Sequence, residues 1–502
     1  MSSVDAVQTP QHAATAAADV RTSARPALLA ALGSCGVLLA CTYAFFLVVV
    51  PQTAVRLAKT SAQLDHRLAL WRWLRSASVP VPEGRTLLAA LVAAVVGGFV
   101  IYVAAVIVAR ALPTSRRVIA AVVAAAALFS VASALALPNL DTDVYTYIAT
   151  GRVAAVHHRD PYAIATDRFR SDPFYKYELP QYTHYPDIKL PAWMPINIGL
   201  AEVAGNDPAT ALLVYRGAFA AFALANLALV LLIVRKLRPQ RLTEAAVGWG
   251  WNPLVVLFAQ SKVDSVMVFF LLGSLYALVH ARRRLGLVCM TLATFVKLLT
   301  APFLAMLWLQ DVRRRRWRGL AVSTLLMLAT IAVLYSPYSH RSRLLVQHIG
   351  LVSHTGAAGG ANAGGRALLL LAGVIAVAAV ALRRERTLPE TLQLWAAIGV
   401  CVGVLAVAGG FPWYLLTFFA LVVVAGDVRL LGALALLGAL SLTVYERHSN
   451  STHAHPLPHL SPVSLGVSVF LLAALAAAAF GGVRLMRRGR AAAAERVETL
   501  RD

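Results

Sequence analysis

Long apolar runs, separated by short polar segments, occupy most of this 502-residue chain. Runs long enough to cross a bilayer, about 20 residues each, begin near Pro26, Thr86, Val118, Ala209, Ala245, Ser265, Ala321, Ala367, Leu394, Trp413, Leu430 and Pro462. This pattern predicts helices that cross a membrane, and we therefore expect an all-α polytopic membrane protein.

One apolar run, from Leu285 to Leu309, lies between two clusters of arginine. A single span cannot have both of its ends on the same side of a membrane. We therefore expect the run to break near Lys297 and Pro302 into two half-spans, an arrangement that is tolerated where helices line a cavity. With this break, the chain is predicted to have about 14 transmembrane or half-spanning helices.

The composition supports a membrane protein and argues against a nucleic-acid partner. Hydrophobic residues make up 59% of the chain and charged residues only 14%, whereas a soluble domain has about 25% charged residues. The net charge is +23, but the basic residues stand in short runs between apolar spans. That distribution is typical of cytoplasmic loops near anionic lipid, and the sequence has no base-reading motif.

The basic runs also predict which side of the membrane each segment occupies. Placing them in the cytoplasm makes residues 1–26 a disordered cytoplasmic tail, 27–485 the transmembrane domain and 486–502 a second cytoplasmic tail. The outer segments are then 51–85, 138–208, 338–365, 446–460, and the turns near Lys262, Lys297 and Phe411-Pro412. Segment 51–85 is itself basic, and we interpret Leu64 to Leu74 as an amphipathic helix on the outer interface. The alternative is that the first two spans have the opposite orientation.

Two carboxylates open the long outer loop 138–208. Asp141 and Asp143 directly follow an apolar span, and an ionisable residue near a span indicates a functional site. The alternative is a helix cap. If the chain is helical from Val144 to Val156, Asp143 and Tyr147 share one face. The loop also carries Tyr145, Arg152, His157, His158, His184, Tyr185, Asp187 and Lys189.

The short outer turns add further polar and aromatic side chains on the same side. They carry Lys262, Asp264, Lys297, Trp413 and Tyr414. The alternatives are lysines that snorkel to the interface and aromatic residues of the interfacial belt. The histidines of loop 446–460 match no spacing of metal ligands, and a solvated loop is favoured.

This combination of side chains suits glycosyl transfer from a lipid phosphate sugar. A carboxylate can take the proton from an acceptor hydroxyl, and cations can hold a phosphate leaving group. An Asp-x-Asp motif such as Asp141-Thr142-Asp143 can also bind a divalent metal with a nucleotide sugar. An outward-facing site does not favour that alternative, because nucleotide sugars are absent there, so a divalent metal is possible but not favoured as a cofactor.

Several short motifs resemble those of a known family and recur in order over roughly residues 130 to 430. They are Asp141-Thr142-Asp143-Val144-Tyr145 with Gly151 and Asp160-Pro161-Tyr162, Trp251-Asn252-Pro253-Leu254 with Lys262-Val263-Asp264, Phe295-Val296-Lys297 before Pro302, and Pro412-Trp413-Tyr414. Together they resemble the bacterial GT-C mannosyltransferases that use polyprenol-phosphate mannose, in particular the actinobacterial α-(1→6)-mannosyltransferases of lipoglycan assembly. The chain departs from that pattern at Lys262-Val263-Asp264, where His-Asn is usual, and in two additional N-terminal spans.

The resemblance implies a GT-C-like fold in the plasma membrane, an active site on the outer face, and inversion at the sugar carbon. It also implies an aspartate base, for which Asp143 is the best match and Asp141 the second. Lys297, Lys262 and Arg152 are then candidates for binding the donor phosphate. Candidates for positioning the substrates are Tyr145, Tyr147, His184, Tyr185, Asp264, Trp413 and Tyr414.

The expected partners are a polyprenyl-phosphate sugar, a glycan or glycolipid acceptor, and membrane lipids. Mannose is the sugar that the resemblance implies. An arabinosyl or other pentosyl transferase of the same type, and a flippase or transporter of lipid-linked glycans, are the alternatives that the sequence leaves open.

Overall fold

A computed structural model of the chain describes residues 10–49, 84–136, 143–178, 182–338, 387–409 and 412–451. Within these ranges every regular element is helical, which confirms the all-α prediction. The α-helices are α1 Pro10–Ala44, α2 Gly84–Ala111, α3 Arg116–Leu135, α4 Asp143–Ala155, α5 Met194–Ala204, α6 Pro208–Leu237, α7 Leu242–Gly250, α8 Pro253–Phe258, α9 Asp264–Val279, α10 Arg283–Val296, α11 Ala301–Arg313, α12 Trp317–Tyr335, α13 Leu388–Gly409, α14 Leu415–Ala425 and α15 Val428–Ser451.

Several of these helices are suited to a membrane. In the part of the chain that the structure describes, five segments are long and apolar enough to cross one: Arg25–Val48, Ala89–Ala111, Arg116–Leu135, Pro208–Leu237 and Trp317–Tyr335. Helix α12 leaves large apolar side chains on the protein surface, with Leu325 68% and Val333 70% exposed. Such a surface is costly in water and favourable in lipid. The total of about 14 spans and the GT-C fold stay predictions.

The predicted break in the apolar run 285–309 is present. Helix α10 ends at Val296, and Lys297 adopts an extended conformation with φ −159° and ψ 130°. A 3₁₀ turn, Leu298–Thr300, follows. Helix α11 then begins with Pro302 in its first turn, a position where the missing N–H of proline costs nothing. Lys297 therefore lies at the junction of two short helices rather than inside one span.

The N-terminal segment differs from the expectation of a disordered tail at 1–26. Helix α1 begins at Pro10, and residues 13–18 are rich in alanine, which has the highest intrinsic helix propensity. Residues 1–9 lie outside the described residues, as do the expected amphipathic helix 64–74, most of loop 338–365 and the tail 486–502. Loop 446–460 is helical as far as Ser451, where α15 ends, and its remainder also lies outside them.

The arginine-rich turns gather at one end of the helices, which we call the basic end. Arg110 of α2 contacts Glu244 of α7 at 3.2 Å, and Arg238, after α6, donates to the carbonyl oxygens of Val423 and Val424 at the end of α14. Arg283 of α10 pairs with the Asp311 carboxylate of α11 at 2.9 Å. Helix α9 ends at the basic end. Its 16 residues extend about 24 Å at 1.5 Å per residue. The starts of α9 and α11 and the end of α10 therefore lie at the opposite end.

Candidate active site

Four interruptions of the helical chain meet at the end opposite the basic end. They are the first turn of α4 at Asp143, the turn between α8 and α9 at Lys262, the junction of α10 and α11 at Lys297, and the 3₁₀ turn Pro412–Tyr414. Their side chains form two groups, each with one carboxylate, one ammonium and one aromatic ring.

The first triad consists of Asp143, Lys262 and Trp413. The Lys262 Nζ donates to Asp143 Oδ2 at 2.7 Å and lies 3.4 Å from the centroid of the Trp413 ring. The lysine side chain is 1% exposed, whereas the aspartate side chain is 23% exposed. The first triad thus buries its cation and presents its carboxylate.

The second triad consists of Asp264, Lys297 and Tyr414. The Lys297 Nζ donates to Asp264 Oδ1 at 2.9 Å and to Oδ2 at 3.1 Å, and it lies 3.7 Å from the centroid of the Tyr414 ring. Here the exposures are reversed, since the lysine side chain is 23% exposed and the aspartate side chain 1%. The second triad buries its carboxylate and presents its ammonium.

Local structure explains why these residues can form ion pairs so deep in the protein. Asp143 and Asp264 each lie in the first turn of a helix, where the unpaired N–H groups and the helix dipole favour negative charge. Trp413 and Tyr414 are neighbours in one short turn, and that turn places one ring against each lysine. A ring face attracts a desolvated ammonium, so both cations are stabilised from two sides.

Tyr147 supports the exposed carboxylate of the first triad. It lies one helical turn after Asp143, and its hydroxyl donates to Asp143 Oδ2 at 3.3 Å. This contact confirms that the two side chains share one face of α4. The Tyr147 ring packs edge-on against Trp193 and Phe219, with ring centroids 5.6 and 5.9 Å away, so the phenol is held in a fixed position.

The surrounding lysines keep Asp143 ionised. Burial raises the pKa of the Asp143 carboxyl, but Lys262, Lys189 and Lys297 together outweigh it and hold the pKa below its ordinary value. The carboxylate is consequently charged at neutral pH. It can accept a proton, provided that the group which gives up the proton becomes strongly acidic as the reaction proceeds.

Comparison with known proteins places the chain in a family. The model of the MptA/B family, described as the N-terminal domain of alpha-(1->6)-mannopyranosyltransferase, matches residues 39–310, which is more than half of the chain. The chain belongs to this family. The match supports mannosyl transfer as the activity and confirms the resemblance found in the motifs. A search of curated proteins and a search of solved structures gave no match.

The family match covers the charged part of the site but not its aromatic turn. Asp143, Lys262, Asp264 and Lys297 all lie within residues 39–310. The turn Pro412–Tyr414 lies about a hundred residues beyond that region and is brought to it by the fold. In this member of the family, the site is therefore completed by a C-terminal segment.

The structure does not bring Arg152 to the triads. Its guanidinium donates to both Asp172 carboxylate oxygens at 3.1 Å, to the Gly205 carbonyl oxygen at 2.7 Å and to Asn206 Oδ1 at 3.0 Å. It also lies 4.4 Å from the centroid of the Phe174 ring. Nine residues separate it from Asp143, about 13 Å along a helix. Arg152 therefore ties the segments around Asp172 and Gly205 to the end of α4.

Other predicted site residues also lie away from the triads. Tyr145 is buried and stacks on Tyr177, with ring centroids 6.3 Å apart, so it fastens the loop to α4. His184 faces Asp167 at 3.0 Å on the surface, and Tyr185 is 64% exposed. Asp141 lies outside the described residues. The roles predicted for these residues stay predictions.

One residue that the sequence reasoning missed is Arg216. It lies inside the apolar helix α6 and is 3% exposed. Its guanidinium donates to the carbonyl oxygens of Ser133 and Ala134, at the end of α3, and to Ser261 Oγ, beside Lys262. Arg216 thus positions the turn that carries Lys262. The signal was an arginine in the interior of a 30-residue candidate span, since ionisable residues within spans are functional by default.

The charged side chains of the triads are arranged as ion pairs. Within the described ranges, no group of three or more His, Cys, Asp or Glu side chains is placed to hold a metal ion. The two carboxylates of the triads each face an ammonium instead. What the triads offer is a partly exposed base next to a partly exposed cation.

Proposed function

We propose that the protein is an inverting mannosyltransferase that uses a polyprenyl-phosphate donor. It adds mannose to a cell-envelope glycan or glycolipid on the outer face of the plasma membrane. Family membership supports mannose as the sugar that is transferred. The geometry of the first triad supports the mechanism. It offers a carboxylate that is ionised, partly exposed and held in place by Lys262 and Tyr147.

Asp143 is the proposed base. It takes the proton of the acceptor hydroxyl while the acceptor oxygen forms a bond to C1 of mannose. The bond between C1 and the phosphate oxygen breaks, its electron pair goes to the phosphate, and attack from the opposite face inverts C1. As the hydroxyl loses electron density to C1 it becomes acidic, so a weakly basic carboxylate suffices. Asp141, two residues earlier, is proposed to orient Asp143 or the donor sugar.

The second triad is proposed to receive the leaving phosphate. Its exposed ammonium on Lys297 can donate to phosphate oxygens as negative charge develops on them. Lys262 is buried, so it acts through Asp143 rather than on the donor. Trp413 and Tyr414 hold the two ammonium groups in place from the ring side.

The distribution of basic residues supports an outer-face site. The triads lie at the opposite end of the helices from the turns at Arg238 and Arg283. Because basic turns favour the cytoplasmic side, the triads are expected on the outer face. A lipid-linked donor can reach that face directly from the bilayer.

The test is transfer of mannose by the purified full chain from polyprenyl-phosphate mannose to a membrane glycolipid acceptor. We expect Asp143→Asn to lower the turnover rate by about 10²–10⁴-fold, the contribution of a general base. Because this change leaves the buried Lys262 without its carboxylate, the double variant Asp143→Asn/Lys262→Gln is measured as well. It replaces the ion pair with a neutral pair and should be equally inactive.

The matched control is Asp207→Asn. Asp207 also stands at a helix start in the outer loop, where its carboxylate accepts from the Thr210 backbone N–H at 2.8 Å. Asparagine caps a helix equally well, so activity should be unchanged. Full activity of folded Asp143→Asn would remove the proposed base. Transfer of a pentose alone would identify an arabinosyl-type enzyme, and translocation of lipid-linked glycan without transfer would identify a flippase.

A further inference from the structure

A third lysine, Lys189, lies next to the first triad. Its Nζ is 5.5 Å from the centroid of the Tyr147 ring, and Tyr147 donates to Asp143. Lys189 is half-buried. It is also close enough to Asp143 and Tyr414 to change the electrostatic energy of both side chains. Lys189 is one of the polar residues of the outer loop for which the sequence predicts no specific role.

The backbone that carries Lys189 is held firmly. The Lys189 N–H donates to Asp187 Oδ1 at 2.9 Å, and the Asp187 N–H donates to the Pro161 carbonyl oxygen at 2.8 Å. Three residues later, the Ala192 N–H donates to the carbonyl oxygen of Phe295 in α10 at 3.0 Å. The segment is thus fastened both to the outer loop and to the helix that ends at Lys297.

The ammonium of Lys189 differs from the other two in its charge partners. Lys262 and Lys297 each have a carboxylate oxygen within 3 Å. Among the described residues, no carboxylate oxygen lies within 4.0 Å of the Lys189 Nζ. Asp187 binds the Lys189 backbone rather than its ammonium, and burial raises the pKa of the Asp187 carboxyl. The two triads and Lys189 together thus bring three ammonium groups and two paired carboxylates to this end of the helices.

We propose that Lys189 binds the phosphate of the polyprenyl-phosphate donor. An ammonium has three N–H donors, and Lys189 is partly exposed to solvent. A phosphate at this position lies beside Asp143 and within the field of Lys297. A third ammonium next to two ion pairs suits an anionic ligand. This inference rests on the proposed function of the same site.

The test compares two lipids that differ only in the phosphate. Binding of polyprenyl monophosphate and of the neutral polyprenol to the purified full chain is measured by quenching of tryptophan fluorescence. The wild-type chain should bind the phosphate more tightly. In Lys189→Gln, this preference should fall by about ten- to a hundred-fold, the effect of losing a hydrogen bond to a charged group. Lys189→Arg should retain most of the preference, and binding of polyprenol should not change.

The matched control is Lys176→Gln. Lys176 lies in the same loop, and its Nζ is 5.1 Å from the centroid of the Tyr177 ring, but it is exposed and outside the triads. Its loss should leave the preference for phosphate intact.

The outcomes separate this inference from the proposed function. An unchanged preference for phosphate in Lys189→Gln, or none in the wild-type chain, overturns the role of Lys189 even if mannose transfer is confirmed. A preference that depends on Lys189, in a chain that transfers no mannose, supports the phosphate site and rejects the transferase. An equal loss of preference in Lys176→Gln points to the general charge of the loop and also overturns the inference.

Discussion

The two triads contain the same kinds of group, a carboxylate, an ammonium and an aromatic ring, but they differ in which charged group is exposed. Asp143, Lys262 and Trp413 bury the cation and leave the carboxylate 23% exposed. Asp264, Lys297 and Tyr414 bury the carboxylate and leave the cation 23% exposed. Each buried member is only 1% exposed.

This reversal assigns different tasks to similar ion pairs. A reacting group has to reach substrate, so the exposed Asp143 is suited to proton transfer and the exposed Lys297 to an anion. The buried partners, Lys262 and Asp264, fix the position and the charge of those groups. An acceptor hydroxyl and a donor phosphate that meet at the reacting carbon would find a base and a cation side by side.

The largest expected effect is on the free energy of unfolding of four single variants. In each triad, replacing the exposed charged residue should cost more stability than replacing the buried one. Asp143→Asn and Lys297→Gln each leave a buried charge without its partner, which costs about 3–5 kcal/mol of the free energy of unfolding. Lys262→Gln and Asp264→Asn leave a charge that water can reach, and their cost should be nearer that of one hydrogen bond, about 1 kcal/mol. Thermal unfolding in detergent ranks the four variants.

Double variants provide the control for this ranking. Asp143→Asn/Lys262→Gln and Asp264→Asn/Lys297→Gln replace each ion pair with a neutral hydrogen-bonded pair. Both should recover most of the stability that Asp143→Asn or Lys297→Gln alone loses, because no buried charge remains. Equal destabilisation by all four single changes would show that the difference in exposure has no energetic consequence.

The sequence predicted the interruptions of the helices better than it predicted the contacts between them. The break at Lys297 followed from basic residues on both sides of one apolar run, and the shared face of Asp143 and Tyr147 followed from a spacing of four residues. The meeting of the turns at Lys262, Lys297 and Trp413 followed from their placement on one side of a membrane. These features depend on local periodicity and on charge asymmetry, which a single sequence contains.

Pairings between distant residues could not be predicted in the same way. Lys262 and Asp143 are 119 residues apart, and nothing in the sequence chooses Asp143 over Asp264 as its partner. Arg152 resembled a phosphate ligand because its partner, Asp172, lies 20 residues later in an irregular loop. Lys189 became informative only when the other two lysines proved to be paired. Such assignments require the tertiary structure.

A smaller effect is expected in the pH dependence of transfer. Lys262 is the strongest of the cations that lower the pKa of Asp143, and burial acts in the opposite direction. In Lys262→Gln, the largest effect that opposes burial is lost while those of Lys189 and Lys297 remain, so the pKa of Asp143 rises. Because the base works only when it is ionised, the acid limb of kcat/KM should move to higher pH. In Asp264→Asn the limb should move less, since burial and the three lysines have the largest effects on the pKa of Asp143. A shift in the opposite direction for Lys262→Gln would contradict the role of Lys262.

The smallest expected effect concerns the two aromatic rings, and it tests the difference in exposure without removing a charge. A cation–π contact contributes about 0.5–1 kcal/mol when the cation is exposed and about 2 kcal/mol when it is desolvated. Trp413→Leu should therefore lower the free energy of unfolding more than Tyr414→Leu, because Lys262 is buried and Lys297 is partly exposed.

The Leu variants also lose packing area, so Trp413→Phe and Tyr414→Phe serve as controls that keep a ring face against each ammonium. Thermal unfolding of the two Leu variants, each compared with the Phe control at the same position, gives the two contributions. If the Leu-to-Phe difference is as large at position 414 as at 413, water reaches both ammonium groups equally, and the two triads do not differ in the way their exposures indicate.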